Sequence, residues 1–523
     1  MSVEKSYHDG EKEDRGDGVK TQTLDIFTDD SLDPVYKAKA RILNDALQEI
    51  GMGKYQWFLF VVAGFGWLSD NLWPIVTGLI LTPVVNEFNV LGPWLKLAQN
   101  LGLLVGAAFW GVSSDVWGRR WAFNITLGMT GLFAIAAGGS LNYVALCSLA
   151  AVWSVGVGGN LPVDSAVFLE FIPASHQYLL TVLSIWWALG QLLGSLVAWP
   201  LISNYSCPTT VPPSPCPRSS NEGWRYFLFT MGGLMMFLWV IRFFVFNLYE
   251  SPKYLMGRGR DEQAVEIIHK VAAYNGKTSN LTLEDLRGAG KLVDATSDDD
   301  VPMDTSMLAA VRRKIGMFSG SHVRPLFATR KMAWSTSILI ILWAFIGLAF
   351  PLYNSFVTYF LATRGADFGD SSTYITYRNQ VILSVIGVPG ALMAGYFVEL
   401  PLLGRKGTLA IFTILTGVFI LASTTARTSN ELLGWNCAYS YVSNVMYGVL
   451  YAISPELFPT KDRGTGNAIV ATANRIFGVM APIIALYANL TTSVPIWIAG
   501  AIFIVSGFIA LLLPFEPRGH ASL

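Results

Sequence analysis

Two carboxylates stand where a chain seldom tolerates a charge. Asp70 lies in Gly64-Phe-Gly66-Trp67-Leu-Ser69-Asp70-Asn71-Leu-Trp73-Pro74, midway along an apolar run. Asp164 ends a second such stretch, Gly156-Val-Gly158-Gly159-Asn160-Leu-Pro162-Val-Asp164. A charge at mid-bilayer costs on the order of 3 kcal/mol on insertion scales. An acid kept there is therefore expected to work, either by taking up and releasing a proton or by holding a polar solute in a central cavity. Asp70 is the sharper case. Asn160 and Asp164 are four residues apart and share one helix face, so Asp164 either exchanges protons or joins a network with loop arginines. Asn71, Gln191, Tyr353, Asn354, Asn379, Gln380, Asn444 and Tyr447 are candidate cavity linings. Aromatic side chains also gather at bilayer interfaces, which supplies a second reason for the tyrosines.

The remaining charges cluster at the ends of apolar runs, and they do so twice. Gly111-Val-Ser-Ser-Asp115-Val-Trp-Gly118-Arg119-Arg120 is echoed by Gly395-Tyr-Phe-Val-Glu399 and Gly404-Arg405-Lys406. Glu170-Phe-Ile-Pro173 is echoed by Pro455-Glu456-Leu-Phe-Pro459, with Arg463 after it. Each pair is six apolar runs apart, as two homologous halves predict. Of two arginines near the ends of the sixth run, Arg225 is expected to anchor at the interface. Arg242 is expected to snorkel to water, the alternative being compensation of an acid or an anionic solute.

The elements that must carry these residues are helices. Apolar runs predict spans near 57–83, 94–114, 121–141, 143–170, 179–203 and 224–247, then near 335–361, 378–398, 408–425, 432–454, 465–488 and 493–514. The division expected is a tail over 1–54 that is disordered, or loosely helical towards its end, a six-helix bundle over 55–248, a charged linker with short helices over 249–334, a second bundle over 335–515 and a cytoplasmic tail over 516–523. Arg119, Arg120, Arg405, Lys406, Lys461, Arg463 and the basic residues of the linker all fall on one side, so the positive-inside rule places both termini in the cytosol.

Composition agrees. Of 523 residues, 52% are hydrophobic and only 14% charged, where soluble domains carry about 25% charged residues. Lys plus Arg and Asp plus Glu each number 36, a balance that gives no case for nucleic acid. The first fifty residues are polar and lack the apolar core of a signal peptide. No Gly-x-x-x-x-Gly-Lys-Ser/Thr loop, serine elbow or metal-ligand cluster appears, which argues against an ATP-driven pump, an enzyme or a resident cofactor or metal. Cys207 and Cys216 share one loop and are a candidate disulfide. Asn204 and Asn489 begin glycosylation sequons on the expected outside, and Asn280 begins one on the expected inside.

The Gly-xxx-Asp-xx-Gly-Arg-Arg element and its echo resemble the major facilitator superfamily, over roughly 55–515. The resemblance implies an all-α fold of twelve transmembrane helices in two pseudo-symmetric six-helix bundles. It also implies alternating access, with Gly111, Asp115, Gly118, Arg119, Arg120, Glu170, Glu399, Gly404, Arg405, Glu456 and Arg463 as the gate. Tyr249-Glu250-Ser251-Pro252-Lys253 and Pro455-Glu456-Leu457-Phe458-Pro459 are similar to elements of sugar porters. The fourth span is closest to metabolite–proton symporters and synaptic-vesicle-protein-related transporters. The seventh span lacks the paired glutamines of hexose carriers, and Asn160 stands where phosphate symporters place an aspartate. The expectation is a monomeric plasma-membrane symporter that moves a proton with a small organic solute, a carboxylate ahead of a sugar. A sugar or phosphate symporter, an uncoupled facilitator or exporter, and a non-transporting receptor are the alternatives.

Overall fold

The computed structural model describes residues 34–176, 179–183, 185–208, 216–294, 323–369, 372–400, 403–458, 463–488 and 492–514, and among them there is no strand. Helix α1 (Pro34–Ile50) precedes α2 (Lys54–Leu79), which breaks at Ile80 and resumes as α3 (Leu81–Phe88). Next come α4 (Pro93–Trp117), α5 (Arg119–Gly138), α6 (Tyr143–Phe171), the short α7 (Leu179–Val182), α8 (Ile185–Tyr205) and α9 (Gly223–Val240), which runs on into a π turn over Ile241–Val245. Three short helices follow: α10 (Pro252–Gly257), α11 (Asp261–Tyr274) and α12 (Leu283–Asp294). The second series is α13 (Arg330–Asn354) with its continuation α14 (Val357–Asp367), then α15 (Thr373–Glu399), α16 (Gly404–Ser423), α17 (Ser429–Glu456), α18 (Arg463–Tyr487) and α19 (Val494–Leu511).

Among the described residues, nine helical stretches are long and apolar enough to cross a membrane. The long helices α4, α15 and α17 carry polar side chains such as Lys96, Gln99, Asn379, Gln380, Asn436 and Asn444, most of them buried.

The two series pack alike. In the first, α4 meets α6, α5 meets α6 and α9, and α2 meets α8. In the second, α15 meets α17, α16 meets α17 and α19, and α13 meets α18. The bundles join where α8 crosses α15 and α4 crosses α18, again an exchange of equivalent positions. Such a repeat lets one bundle rock against the other as a body.

Helices α1, α10, α11 and α12 form a cap on one end of the first bundle. The end of the expected tail, Pro34–Ile50, is a helix that buries Ala40, Leu43, Ala46, Leu47 and Ile50. Apolar residues on one face supply what a polar tail lacks, a surface that pays to be covered. Lys39 Nζ bonds Asp261 at 2.6 Å and Lys277 Nζ bonds the Ile50 carbonyl at 2.5 Å. Below the cap, the buried Tyr55 ring sits 5.3–5.6 Å from Phe171, Phe246, Tyr249 and Tyr274, which ties α2 to the ends of α6 and α9 and to α11. The opposite end carries the Cys207–Cys216 disulfide and is called the far end below.

Candidate functional site

Asp70 and Arg475 meet between the bundles. Arg475 Nη2, on α18, donates to Asp70 Oδ1, on α2, at 3.3 Å. The Asp70 side chain is 11% exposed and that of Arg475 27%. Rings from both bundles stand around the pair. Trp187 lies 5.2 Å from Trp67 and 5.1 Å from Tyr451, and Tyr451 lies 4.9 Å from Trp343. Tyr447 packs 4.7 Å from Phe350. Tyr451, 42% exposed, is within electrostatic reach of both Asp70 and Arg475 and meets rings of both bundles, Trp187 and Trp343. The Nε1 donors of Trp67 and Trp187 are buried without a partner. This group offers one cation, one carboxylate, aromatic faces and unpaired N–H donors, the mix of aromatic lining and few polar groups that small-molecule sites use.

Asp164 has another setting. Arg242 Nη2, in the π turn after α9, lies 2.5 Å from Asp164 Oδ2, and both side chains have no exposed surface. The Arg242 guanidinium carbon sits 3.2 Å over the Phe123 ring. Gly66 of α2 faces the carboxylate, and a Cβ there would collide with Asp164 Oδ2. Asn160 Nδ2 donates to Ser69 Oγ at 3.1 Å. All of these groups belong to the first bundle. Arg242 therefore does not snorkel, because the acid on α6 gives its charge a partner inside the protein. Arg225 is likewise not an exposed anchor. It is 2% exposed and forks onto Glu87 at 2.6 and 2.9 Å, beside Trp224 and Asn221.

At the cap end, Gly118 turns the chain between α4 and α5 with φ of 102°. Glu250 Oε1 then accepts from the backbone N–H of Arg119 at 2.9 Å and of Arg120 at 3.4 Å, satisfying donors that a helix start leaves open. A Cβ on Gly118 would come within 2.6 Å of Glu250 Oε2, so position 118 needs glycine for backbone and space alike. The Arg119 guanidinium pairs with Glu170 at the end of α6. Burial raises the Glu250 carboxyl above the ordinary range. Burial, with Arg119 nearby, pushes the Lys253 ammonium down to about 8. Gly404 takes φ of 59° at the matching corner, and Lys406 Nζ donates to the Leu513 carbonyl at 2.7 Å. Arg405 is engaged as well. The side chains of Asp115, Glu399, Glu456 and Arg463, and all of Asn489, lie outside the described residues.

The candidate linings divide. Asn71 Nδ2 donates to the Trp187 carbonyl at 2.8 Å, which fixes α8 against α2 beside the Asp70 group. Tyr447 and Asn444 are half-buried on α17, and Gln191 is half-buried on α8. Tyr353 is buried within the second bundle, where its hydroxyl donates to Asn436 Oδ1 at 2.5 Å. Gln380 is buried with its Oε1 bonded by Thr358, and Asn379 with its Oδ1 bonded by Arg378. Asn354 is half-buried next to the α13–α14 break, and Asn204 is exposed at the end of α8. Sequence reasoning missed Arg475 and Lys96. Arg475 was detectable by the rule that found Asp70, a lone charge inside an apolar run. Lys96 sits in the first turn of its helix, where a lysine reads as an interface residue.

Comparison with known proteins bears on this arrangement. A family model described as "Sugar (and other) transporter" matches residues 86–517. The chain is 60% identical over 507 residues to the MFS siderochrome iron transporter 1 of Ceriporiopsis subvermispora, covering 96% of this chain and 95% of that one. It is 26% identical over 447 residues to the niacin transporter NiaP of Acinetobacter baylyi, covering 84% and 88%. The inward-open structure of the Escherichia coli xylose transporter XylE superposes with a TM-score of 0.63 at 16% identity, covering 89% and 98%.

Proposed function

Because the chain belongs to the sugar (and other) transporter family of the major facilitator superfamily, and so is a membrane transporter with that all-α fold, we propose that it carries a planar organic acid together with a proton. The observation that carries this reading is the Asp70–Arg475 pair spanning the two bundles. With Asp70 ionised, Arg475 is neutralised across the seam. A proton on Asp70 frees Arg475 for a substrate carboxylate, to which guanidinium groups bond strongly. Trp187, Tyr451 and Trp343 provide faces for a ring, and the likeness to a niacin transporter supports an aromatic acid. Proton and solute then cross as a net-neutral pair while the bundles rock. Asp164, closed into a pair within one bundle, holds that bundle together. Arg119, Glu170 and Glu250, with Gly118, belong to the gate at the cap end, which faces the cytosol of a plasma-membrane monomer.

A second reading follows from the same residues. Aromatic faces beside a carboxylate also suit an organic cation, and a relative from Arabidopsis thaliana is named organic cation/carnitine transporter 7. The siderochrome relative adds iron chelates. The test is uptake into proteoliposomes of labelled pyridine-3-carboxylate, benzoate, carnitine, a hexose, phosphate and a ferric hydroxamate, with and without an inward proton gradient. Gradient-stimulated uptake of the aromatic acids is expected. Asp70→Asn is expected to abolish accumulation but keep acid exchange at equal pH. Gradient-driven accumulation by Asp70→Asn, or transport of carnitine or the chelate alone, overturns the proposal.

A further inference from the structure

A second cation lies at the far-end seam, and the reading above makes no use of it. Lys96 is 1% exposed in the first turn of α4, where the helix dipole already disfavours positive charge. Among the described residues no carboxylate pairs with it. Its Nζ donates to neutral acceptors, the Pro74 carbonyl at 2.5 Å, Thr77 Oγ1 at 2.6 Å and Gln99 Oε1 at 3.2 Å. Gln99 is also 1% exposed, and its Nε2 donor is buried with no partner. A buried cation and an orphan N–H donor with no anion between them form a half-built anion site.

Its position gives that site a use. Gly78, at the end of α2, packs against the Ser355 carbonyl of the other bundle, and a Cβ built on Gly78 would lie 3.8 Å from Lys96 Nζ. Around this point the bundles are closed on each other. Tyr377 Oη donates to the Leu79 carbonyl at 2.6 Å, Thr373 Oγ1 to the Ser203 carbonyl at 3.1 Å, and the Ser195 and Ser384 hydroxyls bond at 2.8 Å. When those contacts part, Lys96 is bared to what enters. We propose that Lys96, with Gln99 beside it, is an anion-recruiting site that receives a carboxylate at the far-end seam before it reaches Arg475. The inference rests on the organic-acid reading.

The test compares wild type, Lys96→Gln, Lys96→Arg and Gln99→Leu in oriented proteoliposomes, with pyridine-3-carboxylate and its uncharged amide as probes. Lys96→Gln is expected to raise the apparent KM for the acid presented at the far end about tenfold, the worth of one charge-assisted hydrogen bond. Lys96→Arg should restore most of that loss. Gln99→Leu should raise the same KM by a smaller factor. Transport of the amide, and KM for acid presented at the cap end, should not change. An unaltered far-end KM in Lys96→Gln, or equal losses for acid and amide, overturns the inference and leaves Lys96 as a brace of α2. If Lys96→Gln does not fold, an unchanged KM in Gln99→Leu has the same force. Wild type that carries no aromatic acid defeats the organic-acid reading instead, so the two failures are distinct.

Discussion

Neutralising Asp164 tests whether its ion pair is structural. With 2.5 Å between Arg242 Nη2 and Asp164 Oδ2, the attraction is about 7 kcal/mol at an effective dielectric constant of about 20. Removing two ions from water costs several kcal/mol each, so the intact pair is nearly neutral as a unit. Asp164→Asn forfeits the attraction and leaves Arg242 charged with no exposed surface. The expected loss is about 3–5 kcal/mol. For a bundle of roughly 200 residues melting as a unit, that is a fall of about 6–20 °C in the midpoint. The measurement is the melting of purified detergent-solubilised protein, followed by tryptophan fluorescence and by size exclusion after heating. The double variant Asp164→Leu/Arg242→Met removes both charges and should recover to within about 1 kcal/mol of wild type, a coupling of about 2 kcal/mol or more against the single variants Asp164→Leu and Arg242→Met. If the double variant is no more stable than either single one, the pair is not what the surroundings were built to hold, and the assignment of Asp164 to structure is wrong.

Three further outcomes follow from the same geometry. Gly66→Ala forces a methyl group onto the Asp164 carboxylate and should cost about 1–3 kcal/mol. The same change should be tolerated in Asp164→Ala, which a thermal melt of the four proteins checks. Gly118→Ala strains a φ of 102° and crowds Glu250, so it should cost about 1–3 kcal/mol and slow transport; unaltered melting and flux would contradict both reasons given for glycine. Lys253 has a folded-state pKa near 8, below its ordinary value of 10.5. The fold binds its proton less tightly than the unfolded chain, so stability should rise as pH climbs from 8 towards 10.5. Lys253→Met should lose that rise, and chemical-denaturation curves across the window compare the two.

Much of the architecture was legible because lipid leaves a chain few choices. A backbone with no water to bond must satisfy itself, and uncharged runs of about twenty residues can do so only as helices. The Gly-Arg-Arg element with its Gly-Arg-Lys echo, and the two Glu-x-x-Pro elements, announced the repeat. Less legible was the packing of the tail's end, since α1 places apolar residues every three or four positions within a polar stretch and finds its partner in α12, a helix more than two hundred positions away. Composition averages over that face and reports disorder.

The site was legible only by half, for a related reason. Asp70 and Asp164 are both carboxylates inside apolar spans, Asp70 the sharper case in sequence, and what separates their surroundings is the address of the arginine. Arg242 approaches Asp164 from α9 of the same bundle, so the pair moves as a body when the bundles rock. Arg475 reaches Asp70 from the other bundle, at 3.3 Å, so under the proposed mechanism motion of one bundle against the other changes that distance. A proton or a substrate carboxylate changes the energy of alternation only if its partner interaction differs between the states. In the proposed function the Asp70 pair has that property by its placement and the Asp164 pair lacks it. Coupling is therefore sought at Asp70 and stability at Asp164, a division that depends on where two arginines come from and that one helical period of either span does not reveal.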